Sequence, residues 1–483
     1  MPGQLRARVG VAMMLGALWV SALAAPVSAA GAVRWVDNDS NPGDGPTKCD
    51  TAPYHTIQSA INNSNPYDTI YVCPGTYRQA LHVDVKGLHI ESINYRKAKI
   101  MPPTSYGANF PALVSISARD VEFWNFLMPI AGGPLQIVGP FVGGGGGVGP
   151  SCETTFVAIE VLGPNADIRG NYLKGTGDYT FSGACGYLYG IVVAAPSLPG
   201  MIPDVSGPNV SSISHNRILD FKYAGVLAVG DVQARIVRNA VRFVHEDDPA
   251  TCVLTPVLGV TAELTFPCQV ETARIETGVN GAFSQAIGIG AEGGPLVEIR
   301  NNTVYSTFDQ SLLIGLPVQG GIPGPGPDTS IFLSGGIAML DVADGSTARN
   351  NTVSNVGFGL LVANGGISGV TLAEPADNPN GSKFTGNRLY DSFFGLAVAG
   401  DDNVFYGNRA RTNFAGTFVI AGQNNLFHAN DFRFNMEIDC FDGTTGTGDA
   451  GTANLWTNGS AGRYNFGQYN QPEEICIPTL NPI

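Results

Sequence analysis

Tyr390, Arg411 and Arg433 stand at intervals of 21 and 22 residues, each three places after an asparagine. A chain repeating with that period stacks the three side chains into one outward stripe, with Asp391 alongside Tyr390. Counted back, the same column holds another ring, Tyr305. An aromatic ring beside guanidinium groups suits an acidic sugar chain, because the ring packs on sugar faces and arginine pairs bidentately with carboxylate. Two reactions would use such a stripe. Glycoside hydrolysis asks for two carboxyl groups, ~5 Å apart for retention or ~6.5–9.5 Å for inversion. Asp391 has no second carboxylate in its column on adjoining repeats, and Asp401-Asp402 reads as a turn after a strand. β-Elimination next to a sugar carboxylate asks for less. It takes a base, for which Arg411 or Arg433 is the candidate, and a positive group or Ca2+ to hold the developing charge. A solvated arginine–aspartate pair, worth ~0–1 kcal/mol, explains the same residues without a ligand.

Metal chemistry has weaker support. No Cys/His spacing matches a zinc site. The run Val244-His245-Glu246-Asp247-Asp248 offers carboxylates to Ca2+ but lacks the alternating acids and glycine turn of a dedicated calcium loop, so it reads as a solvated acidic loop. No cofactor is expected.

The elements that position the stripe come from a recurring phrase: an apolar strand, an asparagine, an apolar residue two places on, then glycine and a second apolar strand. It occurs around Asn171, Asn216, Asn239, Asn302, Asn351, Asn387, Asn408 and Asn430. Strands such as Val297-Glu298-Ile299 alternate in steps of two, which is β periodicity. Short strands in a repeat of about twenty residues imply a solenoid, with coils ~4.8 Å apart. A turn asparagine tolerates left-handed backbone, and stacked amides form a ladder. The fold expected is therefore all-β, a parallel β-helix. Ile57, Ala60 and Ile61 fall on one face of a short helix that would cover the open N-terminal end. The strand Asp68-Thr69-Ile70-Tyr71-Val72 follows, then a turn at Pro74-Gly75-Thr76-Tyr77.

Composition agrees. The 483 residues contain 63 Gly and 32 Pro, with 44% hydrophobic and 14% charged residues, which excludes a disordered chain. With 26 Lys and Arg against 40 Asp and Glu, nucleic acid and anionic lipid are not expected partners. Residues 1–30 read as an export signal, with Arg6 and Arg8 before an apolar run and a small-residue cleavage pattern at Val27-Ser28-Ala29. No membrane span is expected after its removal, and the product is expected outside the cytosol, secreted or periplasmic. Eight cysteines fit disulfides in that setting, paired in order as Cys49–Cys73, Cys152–Cys185, Cys252–Cys268 and Cys440–Cys476. The solenoid with its cap is expected over 31–435 and a closing segment over 436–483. Gly/Pro-rich excursions at 132–150, 196–208, 317–327 and 374–381 are expected along one edge, where they either build a binding face or decorate the rod.

The segment YHTIQSAINNSNPYDTIYVCPGTY, the phrases NRILDFKYAG and NNTVSNVGFG, and the tail DCFDGTTGTGDAGTANLWTNG resemble secreted right-handed parallel β-helix proteins of the pectin lyase-like superfamily. The resemblance covers about 34–476 and rests on positions that determine fold. It implies a three-faced solenoid and, as in many relatives, action on or binding to acidic polysaccharide; a fold alone does not transfer an activity. The polygalacturonase-like pattern is incomplete, because no GHG motif is present. The reading is a non-catalytic module that binds extracellular polysaccharide or lends surface structure. The alternative is a polysaccharide lyase acting on a uronic-acid polymer.

Overall fold

The computed structural model describes residues 31–39, 48–103, 112–130, 154–175, 186–194, 210–221, 224–243, 287–306, 335–363, 381–457 and 465–477. The expected signal segment, Cys152, Cys185, Cys252, Cys268 and the acidic run 244–248 lie outside them, as does most of the Gly/Pro-rich sequence.

Each coil is built from strand triplets whose centre is apolar. In Asp167–Arg169 and Tyr172–Lys174 the central Ile168 and Leu173 are fully buried, while their neighbours point outward. Two such triplets and a third strand, commonly longer, as in Gly335–Leu340, close one coil, which stacks on the next in parallel register. The described strands form three sheets, named here A (13 strands), B (10 strands) and C (12 strands). The chain passes through A, B and C in turn, giving the right-handed parallel β-helix. The residue two places after each repeated asparagine is buried, from Leu173 and Ile218 through to Ala410 and Phe432. Apolar side chains of successive coils stack inside the rod. Phe384, Phe405, Phe427 and Trp456 lie 4.9, 4.7 and 4.0 Å apart between ring centroids.

The corner between sheets A and B takes two residues. The first bends the chain with left-handed backbone, as at Gly170 (φ 70°), His215 (φ 56°), Asn350 (φ 53°) and Ala429 (φ 53°). The second is the repeated asparagine, which faces inward. Left-handed backbone was expected on the repeated asparagine itself; the structure puts it one residue earlier and buries the amide. Asn171, Asn216, Asn239, Asn302, Asn351, Asn387, Asn408 and Asn430 form one continuous ladder, each Nδ2 donating to the Oδ1 of the next at 2.9–3.2 Å. Asn465 is a ninth member, accepting from Asn430 at 2.9 Å. The second Nδ2 hydrogen of each goes to a sheet A carbonyl, as from Asn351 to Ile299 at 3.0 Å. Every amide of this ladder is thereby satisfied, as burial requires.

Helix α1 (Ile57–Asn62) closes the N-terminal end with Ile57, Ala60 and Ile61 buried, and Thr56 caps it by accepting the Ser59 N–H at 3.1 Å. The Cys49–Cys73 disulfide holds this region. Two local expectations need correction. Gly75–Arg78 is the first strand of sheet B, where a turn was expected, because Tyr77 buries its ring and the Thr76 and Arg78 side chains face solvent. The excursions lie almost wholly outside the described residues, but the strands that flank them do not belong to one corner. Excursions 132–150 and 317–327 join sheet B strands to sheet C strands, whereas those at 196–208 and 374–381 join sheet C to sheet A. A one-sided reading could not tell which of three strands preceded each insertion. Sheets A and C also run past residue 435, through Ile438–Asp442, Leu455–Thr457 and Asn470–Gln471, and the Cys440–Cys476 disulfide ties this end.

Candidate functional site

The outer face of sheet B is built from the residues one and three places after each ladder asparagine. The strand register places Tyr305, Ser354, Tyr390 and Arg411 in one column, and Arg433 follows on the next coil. Tyr390, Arg411 and Arg433 are thus neighbours along the rod axis, and Tyr305 lies two coils away from Tyr390. The guanidinium of Arg242 sits 5.6 Å over the Tyr305 ring.

Asp391 has a different role. It occupies the corner after sheet B with φ 50°, in line with Asn355 (58°), Thr412 (58°) and Phe434 (68°) on adjacent coils. Asp and Asn are common in left-handed backbone because their side chains bond locally. Asp391 is a turn residue beside the stripe and makes no ion pair with Arg411 or Arg433 among the described residues.

The carboxylate that engages the arginines is Asp431. Arg433 donates to it through Nε at 2.8 Å and Nη2 at 3.0 Å, and Arg411 donates through Nη2. Arg409 approaches within 3.7 Å. Burial pushes the Asp431 carboxyl up, but hydrogen bonds and charge from Arg433 and Arg411 outweigh this and hold it below its ordinary value. Asp431 raises Arg433 in turn, chiefly through its hydrogen bonds. Beside this cluster the Phe434 ring is 64% exposed, with Arg411 and Arg433 guanidiniums 5.3 and 5.6 Å from its centroid.

Asp431 escaped the sequence reading because only the third and fourth positions after each asparagine were followed. The first position also faces outward and reads Tyr172, Arg217, Ala240, Thr303, Thr352, Arg388, Arg409 and Asp431. With both columns counted, the described strands of this face present Arg78, Lys99, Lys174, Arg217, Arg242, Arg388, Arg409, Arg411 and Arg433. Asp431 is their one carboxylate.

Sheet A carries a second polar surface that the repeat reading did not single out. The rings of Trp35, Tyr71, His89 and Trp124 follow one another along its N-terminal part at 5.2, 6.4 and 4.5 Å. His89 is held between Glu122 (2.6 Å) and Glu91 (3.1 Å). Next to them burial, then repulsion from Glu122, pushes the Asp167 carboxyl up. Further along is a groove of about 510 Å³ lined by Arg235, Glu298, Arg349 and Lys383, among others. The available signal was a polar–apolar–polar triplet ending just before the corner, as in Asp167-Ile168-Arg169.

Among the described residues, no group of three or more His, Cys, Asp or Glu is placed to hold a metal ion, and no helix is long and apolar enough to cross a membrane. No protein-family model matches the chain, and no curated protein matches it. Solved structures resemble it at low identity. A pectate lyase, Pel9A, aligns with 81% of this chain and 79% of its own at 10% identity and a TM-score of 0.39. A lacto-N-biosidase from Eubacterium ramulus aligns over 82% and 67% at 10% identity and 0.38. An alginate lyase from Paenibacillus aligns over 77% and 94% at 12% identity and 0.34. At these values the likeness is one of winding, and no activity is taken from it.

Proposed function

We propose that the protein is a secreted β-helix that binds an anionic extracellular polysaccharide along the outer face of sheet B, without cleaving it. One observation carries the reading: nine cations face a single carboxylate on one side of a chain whose acids outnumber its bases. Coils about 4.8 Å apart turn those cations into a rail, and a rail of one sign attracts a polyanion even when net charge opposes it. The exposed Phe434 ring, with Tyr172 and Tyr390 along the same face, offers surfaces for sugar rings. The two disulfides suit an oxidising compartment.

The lyase alternative has less support. A guanidinium must shed a proton to act as a base, and the hydrogen bonds from Arg433 to Asp431 favour its charged form; Arg411 is engaged by the same carboxylate. Titration with polygalacturonate, alginate and a neutral glucan tests the proposal. Binding confined to the acidic polymers, weakened at least about tenfold by Arg388→Ala/Arg409→Ala, supports it; a tenfold loss corresponds to about 1.4 kcal/mol. Equal binding of the neutral glucan, or release of unsaturated sugars from either acidic polymer, refutes it.

A further inference from the structure

The groove on sheet A has chemistry of its own. Glu298 lies at its floor, 24% exposed, and meets three arginines contributed by three successive coils. Arg235, one coil before, donates Nε to Oε2 at 2.8 Å. Arg349, one coil after, donates Nη2 to Oε1. Arg300, on the same strand, places Nε 3.1 Å from Oε1 but without the alignment of a hydrogen bond. Lys383 continues the column of Arg235 and Glu298 two coils beyond Glu298, is exposed, and has no ion pair among the described residues. One carboxylate therefore collects three guanidiniums and leaves most of their N–H groups unused. With Lys383, the groove lining carries two positive charges in excess of its acid, from Arg235, Arg349 and Lys383 against Glu298.

Solvated surface pairing would give two opposite charges at contact and no surplus. Here the surplus is held in place. The Arg235 and Arg349 guanidiniums are each anchored through one nitrogen, and their stems rise from a sheet whose spacing cannot adjust. Burial pushes the Glu298 carboxyl up, yet Arg349, Arg300 and Arg235 together hold it below its ordinary value, so it stays charged and keeps the cluster assembled. Thr347 and Thr385 add hydroxyls to the lining. A planar or tetrahedral oxyanion accepting from several N–H groups at once is the ligand such a fork arrangement fits.

From this geometry we propose that the sheet A groove is a second anion site, taking a carboxylate or sulfate ester borne on a sugar and held by Arg235, Arg349 and Lys383. It is separate from the sheet B rail and stands or falls independently. The test uses the full chain carrying Arg388→Ala/Arg409→Ala, which weakens the rail. Calorimetric titrations with a galacturonate hexamer, a sulfated galactose hexamer and a neutral galactose hexamer are run before and after adding Arg349→Ala/Lys383→Ala. The expected result is that at least one anionic hexamer still binds, that the added pair weakens it about tenfold or more, and that the neutral hexamer does not bind. Which anionic hexamer binds identifies the oxyanion. Lys383→Glu alone, at an exposed position without an ion pair, gives the same loss should the double change impair folding. Absence of anion binding once the rail is weakened overturns the proposal, as does binding indifferent to Arg349 and Lys383. Equal binding by the native chain and the rail variant would refute the sheet B reading and leave this one intact.

Discussion

Asp431 shows how one carboxylate can organise several cations. Asp431→Asn keeps the size of the side chain but removes the charge that Arg411 and Arg433 share. We expect folding stability at neutral pH to fall by about 1–3 kcal/mol, because hydrogen bonds to a charged group are lost. Affinity for polyuronate should rise, because two guanidiniums are released, and parallel melts and titrations would check both effects. The pH dependence has a definite sign. A carboxyl lowered in the folded state contributes stability that is present above its unfolded value and lost as pH falls through the folded one. The difference between native and Asp431→Asn melting temperatures should therefore shrink as the medium is acidified below the ordinary value of 3.8. Glu160 behaves oppositely. It is 5% exposed on sheet C, accepts from Ser115 at 3.0 Å, and burial pushes it up. Its contribution is lost as pH rises through the folded value, so Glu160→Gln should raise the melting temperature at neutral pH and leave it nearly unchanged in acid.

Among the elements, the asparagine corner bears the strongest constraint. Asn351 accepts from the Asn302 amide and side chain and donates to Asn387 and Ile299. Asn351→Ala strands buried partners on both adjoining coils, and a loss of about 2–5 kcal/mol is expected from chemical denaturation. Ala429, one place before a ladder asparagine, holds φ 53°, so Ala429→Gly should stabilise by roughly 1 kcal/mol. The ladder was legible because a buried amide in a fixed corner admits few residue types, and the repeat therefore survives in the sequence. The inward residue two places on was legible for the same reason. Solvent-facing columns carry no such restriction. The stripe of Tyr390, Arg411 and Arg433 could be placed only by counting from the ladder, and Asp431 went unseen one position away. The corner position of Asp391 was not legible, because a left-handed corner and an outward acid beside the stripe call for the same residue type. Sheet C has its own constraint: a Cβ at Gly225 would stand 2.6 Å from Val241 Cγ1 and 2.7 Å from the Gly288 carbonyl, so coil spacing there depends on glycine.

At the scale of the molecule, the described residues of sheet B concentrate positive charge on one face. Net charge alone, −14, argued against an acidic ligand; the sheet B columns reverse that argument by concentrating cations on one side. Attraction of this kind is screened over about 10 Å at 0.1 M salt, so polyuronate affinity should fall steadily as salt rises. An affinity independent of salt would mean that packing, not charge, governs binding. The Cys440–Cys476 link should contribute about 2–4 kcal/mol to the C-terminal coils. Its loss should be felt there first, because in a solenoid each coil touches only its neighbours.

That nearest-neighbour stacking also sets how the rod would yield to tension. Drawn out from one end, it should peel turn by turn and not rupture at once, each release lengthening the tether by the chain between successive corners. Ladder asparagines 22 residues apart pay out roughly 75 Å of contour, and the 36-residue interval from Asn351 to Asn387 roughly 120 Å. A single-molecule pulling trace should thus read out the uneven spacing of the asparagines as a ruler of unequal steps.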